Sequence, residues 1–331
     1  MKLSYCSWFL ILALLTNLGA PFGEARELWQ VEGSGFKTSD DISLRQFQMQ
    51  YLRDPVDPYW PYLEQEERAW GVKAQWVRLA QESGGFVGGS RQGGRLLGHV
   101  RQLLGESWSF EGELGVDVLK DSGDQDQGSK MFGVGSLEAL YYRQDQFWLS
   151  LRAGYELLYP RVLPLSGDLA STRAKTVQAR GRWKMSPRLR LDVHHEVADF
   201  KALTQRQQTD IQWMWGAWTF PHWVWFGLGA ESLRHSQTVG EFWSPDEFKA
   251  LGLRWDVSLS LGPDWRLFTG GSLNRLREGQ EGDWGRGYYL RAGGQRGDRE
   301  GSLIRLYYEG NQSRQRGSTW SSHGLGAFFQ F

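Results

Sequence analysis

The sequence predicts an all-β chain, a transmembrane antiparallel up-and-down β-barrel of about 16 strands. Three observations carry that reading. Apolar and polar residues alternate with period 2 in runs long enough to cross a bilayer as tilted strands, about 9–11 residues. The connections between those runs alternate short and long, as in membrane barrels. The chain also ends on an alternating strand, His323-Gly324-Leu325-Gly326-Ala327-Phe328-Phe329-Gln330-Phe331, where most chains fray.

Residues 1–25 read as a secretory signal peptide. Met1-Lys2 begins a basic region, an apolar run follows from Trp8 to Leu18, and Gly23-Glu24-Ala25 precedes a cleavage site before Arg26. The apolar run is shorter than the roughly 20 residues a spanning helix needs. The barrel then occupies 26–331. Cys6 is the one cysteine of the 331 residues and lies in the removed segment, so neither a disulfide nor a thiolate metal site is expected.

Bulk composition narrows the class further. Lys+Arg at 38 balances Asp+Glu at 38, which gives no reason to expect a nucleic-acid partner. Mean hydropathy is −0.51, and no later stretch is apolar enough for a membrane helix. A barrel needs only every other residue apolar. The 18 Trp, 17 Phe, 12 Tyr and 42 Gly suit interfacial girdles and close strand packing.

Taken in order, strands are expected at 28–38 and 42–53 across Ser39-Asp40-Asp41, then at 70–82 and 94–105 after the interruption by Pro55, Pro58 and Pro61. The next, 107–119, puts Trp108, Phe110, Leu114, Val116 and Val118 on one face and Glu111, Glu113 and Asp117 on the other. Strands 131–143 and 146–158 flank Gln144-Asp145. Strands 173–185 and 188–200 flank Ser186-Pro187, the second alternating Leu189, Leu191 and Val193 with Arg190, Asp192 and His194. Pro221 divides 207–220 from 222–235, and Pro263 divides 247–262 from 264–276. Strands 286–297, 301–311 and 320–331 complete the set. With the N-terminus in the periplasm, these turns fall on the inner side and are short. The outer connections 83–93, 120–130, 159–172, 236–246, 277–285 and 312–319 are longer and polar. The exceptions are the long inner 54–69 and the short first outer loop.

Alternation assigns an inward, water-facing set. It comprises Glu111, Glu113, Asp117, Arg152, Glu156, Arg180, Arg182, Arg190, Asp192, Arg254, Asp256, Arg266, Arg291, Arg305 and Glu309, with Lys73, Arg101, Glu138, His194 and Glu196 on the same faces. On the lipid side each Arg or Lys would cost about 2–4 kcal/mol at the midplane. Two readings stand for this lining: a hydrated conduit, or a ladder of ion pairs that props the barrel. Its mixed signs argue against strong anion selectivity. Trp213, Trp215, Trp218, Trp223 and Trp225 cluster around Phe220-Pro221-His222 as an interfacial girdle, with sugar stacking by Trp223 or Trp225 as the sharper alternative. Phe242, Trp243, Ser244 and Pro245 fall in an outer loop and are read as folded into the pore mouth.

Two motifs carry a family resemblance. One is the short first hairpin Gly35-Phe36-Lys37-Thr38-Ser39-Asp40-Asp41. The other is Glu241-Phe242-Trp243-Ser244-Pro245-Asp246-Glu247-Phe248, feeding a long strand and the hairpin Leu261-Gly262-Pro263-Asp264-Trp265-Arg266-Leu267. The chain resembles the C-terminal barrel of exopolysaccharide-export porins, the cellulose and poly-N-acetylglucosamine exporters, without their tetratricopeptide region. The resemblance implies an outer-membrane channel that passes a secreted polysaccharide passively. It implies as partners a separate periplasmic scaffold, the glycan, the lipid bilayer and the barrel-assembly machinery, with Phe331 as the assembly signal.

A general or sugar-selective diffusion porin is the first alternative, and a barrel enzyme the second. Glu111 and Glu113 share a face as a carboxylate pair would, yet no Gly-x-Ser-x-Gly elbow is present, so no enzyme is expected. No cofactor or metal is expected either: His194 and His195 point to opposite faces and cannot chelate one ion together.

Overall fold

The computed structural model describes residues 27–39, 42–53, 68–81, 90–105, 107–121, 129–143, 146–157, 173–201, 203–218, 221–239, 244–279, 282–297, 302–315 and 318–331. They form β1 (Glu27–Thr38), β2 (Ile42–Arg53), β3 (Arg68–Gln81), β4 (Ser90–Leu104), β5 (Trp108–Asp121), β6 (Lys130–Arg143), β7 (Phe147–Leu157), β8 (Arg173–Ser186), β9 (Leu189–Phe200), β10 (Thr204–Trp218), β11 (Trp223–His235), β12 (Glu247–Ser260), β13 (Trp265–Glu278), β14 (Gly285–Gly297), β15 (Leu303–Gln315) and β16 (Ser318–Gln330). Each strand pairs with its sequence neighbours and β1 pairs with β16, so the sheet closes on itself. Closure leaves no unpaired edge, which is how a sheet survives in hydrocarbon.

The pleat decides what faces lipid. In β5, Phe110, Leu114, Val116 and Val118 turn outward, and Leu114 is 78% exposed. Outward leucines on other strands behave alike: Leu96, Leu137, Leu228, Leu253, Leu273 and Leu325 are among the most exposed apolar side chains of the described residues. An apolar outer surface around a closed barrel is the mark of a membrane-spanning fold.

Outward aromatics touch from strand to strand near the short-turn rim. Trp29 lies 4.8 Å from Tyr51, which lies 5.8 Å from Trp70. Trp108 lies 5.0 Å from Tyr141, which lies 6.2 Å from Phe147. Trp213, Trp215 and Trp218 are exposed on the same rim. Amphipathic rings at this level suit a membrane–water boundary.

The turns are built for tightness. Gly105, between β4 and β5, has φ of 62°, a left-handed conformation that only glycine adopts cheaply. The register shifts between Lys184 and Ser186 and between Gly216 and Trp218, in each case beside a proline-containing turn. Such bulges bend a strand where it reverses.

Two connections differ from expectation. The 312–319 loop shrinks to 316–317, because Gln312, Ser313 and Arg314 continue the ladder against Ser321, Trp320 and Thr319. Likewise β10 starts at Thr204, leaving 201–203 as the link from β9. Polar residues beyond the lipid pair their backbones as well as apolar ones do, so polarity alone mistakes a long hairpin for a loop.

Apolar side chains also gather on the inward face, at the end opposite the short turns. Ala174, Ala198 and Phe200 pack together under Leu203 and Val239. Leu233, Phe248, Ala250 and Leu276 form a second group, and Val77 and Leu119 a third with Leu44 and Phe132. Between this level and the short turns, charged and amide side chains share the inward face with buried Leu97, Met214 and Trp225.

Candidate functional site

Register brings the inward charges together across neighbouring strands. On β4 and β5, Arg95 donates two hydrogen bonds to Asp117, at 2.6 and 2.7 Å, and Asp117 is 1% exposed. Arg95 also approaches Glu156 on β7 at 3.7 Å. Arg101 donates to Glu111 at 2.5 Å. Arg152 on β7 reaches over β6 to Glu113 at 3.1 Å, and the Ser136 hydroxyl donates to the same carboxylate at 3.1 Å. Ser150 donates to Glu138 at 2.5 Å.

The opposite wall repeats the pattern. Arg182 donates to Asp192 at 2.5 Å, Arg190 approaches the other Asp192 oxygen at 3.0 Å, and Arg190 also donates to Asp256 at 3.1 Å. The Arg190 guanidinium lies over the Trp225 ring at 4.6 Å, a cation–π contact between two buried side chains. Glu196 accepts from both Gln178 and Arg206. Arg180 donates to Gln178 at 3.1 Å, and Arg254 donates to Asn274. Arg291 stands opposite Glu309 in the ladder and over the Tyr307 ring at 4.2 Å. Arg305 donates to Gln295 at 3.2 Å between the rings of Phe268 and Phe328.

A cavity of about 930 Å³ lies against β7 to β15. Arg180, Arg182, Arg190, Arg254, Arg266, Arg291 and Arg305 border it, against the carboxylates Asp192, Asp210, Glu231 and Asp256. Signs are mixed around this cavity, with seven arginines to four carboxylates. Strand order, which composition does not contain, gathers the arginines of β8, β9 and β12 to β15 on one side.

Trp225 faces inward and is 2% exposed. Its ring face is taken by Arg190 rather than left open for a sugar. Trp223, at the short-turn end of β11, is exposed.

Phe242 and Trp243 lie outside the described residues. Ser244 and Pro245 are buried. The Ser244 hydroxyl donates to the Val239 carbonyl at 2.9 Å and accepts the Val239 N–H at 2.7 Å. His235 Nδ1 donates to the Pro245 carbonyl at 2.9 Å. Val239 rests on the inward cluster of Ala174, Ala198 and Phe200, and Ser244 is tied to it. Phe331 extends the β1–β16 pairing: Trp29 N–H donates to its carbonyl at 2.8 Å, and its own N–H donates to Trp29 at 3.0 Å.

Sequence reasoning passed over Arg95, His99, Asp210, Glu231, Tyr289 and Tyr307. Their strands were visible, but nothing local distinguishes an inward histidine or tyrosine from a solvated one. Opposite partners supply that signal. His99 sits across from Glu113, and Asp210 across from Glu231.

No family model and no curated protein matches the chain. Solved structures do match the fold. A bacterial polysaccharide outer membrane secretin aligns over 92% of this chain and 97% of its own, with a TM-score of 0.67 at 12% identity. CdiB from Acinetobacter baumannii aligns over 91% of this chain and 60% of its own, with a TM-score of 0.52 at 6% identity. The CymD monoaromatic hydrocarbon channel aligns over 100% of this chain and 93% of its own, with a TM-score of 0.50 at 8% identity. At such identities the likeness is one of fold, and that fold is an antiparallel β-barrel of 16 strands.

Proposed function

We propose that this protein is an outer-membrane, porin-like channel for the passive export of a secreted polysaccharide. Residues 1–25 act as its cleaved signal peptide and 26–331 as the barrel. A separate periplasmic protein delivers the glycan, and Phe331 serves the assembly machinery.

The observation that carries this reading is the inward wall. Its arginines, carboxylates and amides line a cavity of about 930 Å³, where Arg182 and Arg190 are held by Asp192 and Asp256, and Arg254 and Arg305 by the amides of Asn274 and Gln295. A wall whose charges already have partners offers hydrogen bonds to a hydroxylated chain without gripping it, as conduction requires. The fold shared with a polysaccharide secretin along nearly both full lengths supports the same reading. So do the contacts of Val239 on the inward apolar cluster and of Ser244 on Val239, on which reading Ser244 and Pro245 belong to the pore mouth.

Deletion of the gene tests the proposal. The expected result is loss of surface polysaccharide, restored by the intact chain, together with stable conductance of the purified barrel in planar bilayers. Small-solute uptake with surface polysaccharide unchanged would make it a diffusion porin instead. Turnover of a glycan, abolished by Glu111→Gln in a folded barrel, would make it an enzyme.

A further inference from the structure

On the wall formed by β4 and β5, three side chains converge: His99, Glu111 and Glu113. His99 is 6% exposed, and its Nδ1 is buried without a hydrogen-bond partner among the described residues. It points between two carboxylates: Nδ1 lies 3.4 Å from Glu111 Oε1 and 3.9 Å from Glu113 Oε1. The three ligand atoms all lie within 4.8 Å of one another. A buried nitrogen with nothing to bond is costly, and one aimed at two carboxylate oxygens is arranged for a cation between them.

We propose that His99, Glu111 and Glu113 bind a divalent transition metal of the zinc class. The donor set is one imidazole nitrogen and two carboxylate oxygens, which suits zinc better than the all-oxygen shells of calcium or magnesium. Metal–ligand distances of about 2.0–2.2 Å in a tetrahedron put ligand atoms about 3.3–3.6 Å apart. The His99–Glu111 separation already meets that, the His99–Glu113 separation needs a few tenths of an ångström of closure, and the full spread of up to 4.8 Å among the three atoms has to draw in by about 1 Å through rotation of the two carboxylates. Three protein ligands leave a fourth position toward the barrel interior.

The far oxygens of both carboxylates are fixed. Arg101 donates to Glu111 Oε2 at 2.5 Å, and Arg152 and Ser136 donate to Glu113 Oε2 at 3.1 Å each. Partners of this kind orient ligands and are part of a metal site. They also neutralise the two carboxylates, so the metal adds net charge and its affinity falls below that of a triad without the arginines.

The test is calorimetric titration of zinc into the full barrel, refolded in detergent and stripped with a chelator. One saturable site per chain is expected. His99→Ala should weaken it beyond the about 10–100-fold that loss of an outer partner costs, and Glu113→Gln should weaken it as well. His195→Ala, on the lipid face, should leave it unchanged. Heat-modifiable migration on gels checks that each variant is folded. X-ray absorption at the zinc edge of the unaltered protein reads the ligands without any variant, and imidazole scattering in a nitrogen–oxygen shell is expected. No stoichiometric uptake, undiminished binding in a folded His99→Ala barrel, or a shell without imidazole would each overturn the proposal.

Discussion

Gly115 faces inward on β5, between Glu113 and Asp117, where the barrel curls β4 close against it. A Cβ at this position would lie 1.9 Å from the Leu96 carbonyl oxygen and 2.8 Å from Leu97 Cα. Both are backbone atoms, so the strand pair itself would have to part. Gly94 on β4 faces outward, and a Cβ there meets nothing within 4 Å. Gly115→Val is therefore expected to destabilise the barrel by about 1–3 kcal/mol, the usual cost of overpacking. Gly94→Ala should stay within about 0.5 kcal/mol of the unaltered protein. Urea midpoints of the detergent-refolded proteins measure both. That Gly115 belongs to a strand was legible from the alternation around it. That it is one of the crowded glycines was not, because crowding depends on the Gly115–Leu97 register, which no local pattern encodes.

At the scale of elements, the seam between β1 and β16 is where the chain must find its own beginning. Tyr307 of β15 reaches across β16 and donates to Glu32 of β1 at 2.8 Å, so one side chain spans three strands. It passes over Gly326, where a Cβ would lie 2.2 Å from the Tyr307 ring. Gly326→Leu should drive the ring off Glu32 and lower the urea midpoint more than Tyr307→Phe does. Tyr307→Phe removes only the hydroxyl and should cost about 1–3 kcal/mol, the range for leaving a partly buried acceptor unmet. A Gly326→Leu barrel as stable as the unaltered one would show that the strap does not hold the seam. The tail's alternation announced β16 from sequence, with Leu325, Ala327 and Phe329 outward. Gly324 and Gly326 gave no hint of their purpose, since the rings that cross them, Phe36 and Tyr307, come from the two flanking strands. Strand lengths above the membrane were hidden for a different reason. Gln312 and Arg314 look like loop residues, yet their backbones pair regardless of what their side chains prefer.

For the whole molecule, charge is the property that sequence and structure describe most differently. The chain is neutral, with 38 basic and 38 acidic residues, and its inward set holds both signs. Closing the barrel sorts that set. On the β4 to β7 wall, Glu111, Glu113, Asp117, Glu138 and Glu156 face Arg95, Arg101 and Arg152 in close pairs. The cavity on the other wall carries seven arginines to four carboxylates. A low-dielectric wall focuses such an excess onto whatever passes. The barrel in a planar bilayer should therefore favour chloride over potassium, as read from the reversal potential across a potassium chloride gradient. Arg266→Gln and Arg291→Gln should each move that ratio toward one, since each removes a positive charge from the cavity border. The preference should fade as salt rises, because the screening length falls from about 10 Å at 0.1 M to about 3 Å at 1 M. Cation preference, or indifference to both substitutions at low salt, would mean that the paired wall and not the arginine cavity sets the path of ions. Anion preference that collapses with salt would tie the path to the face where β8 to β15 meet the lumen.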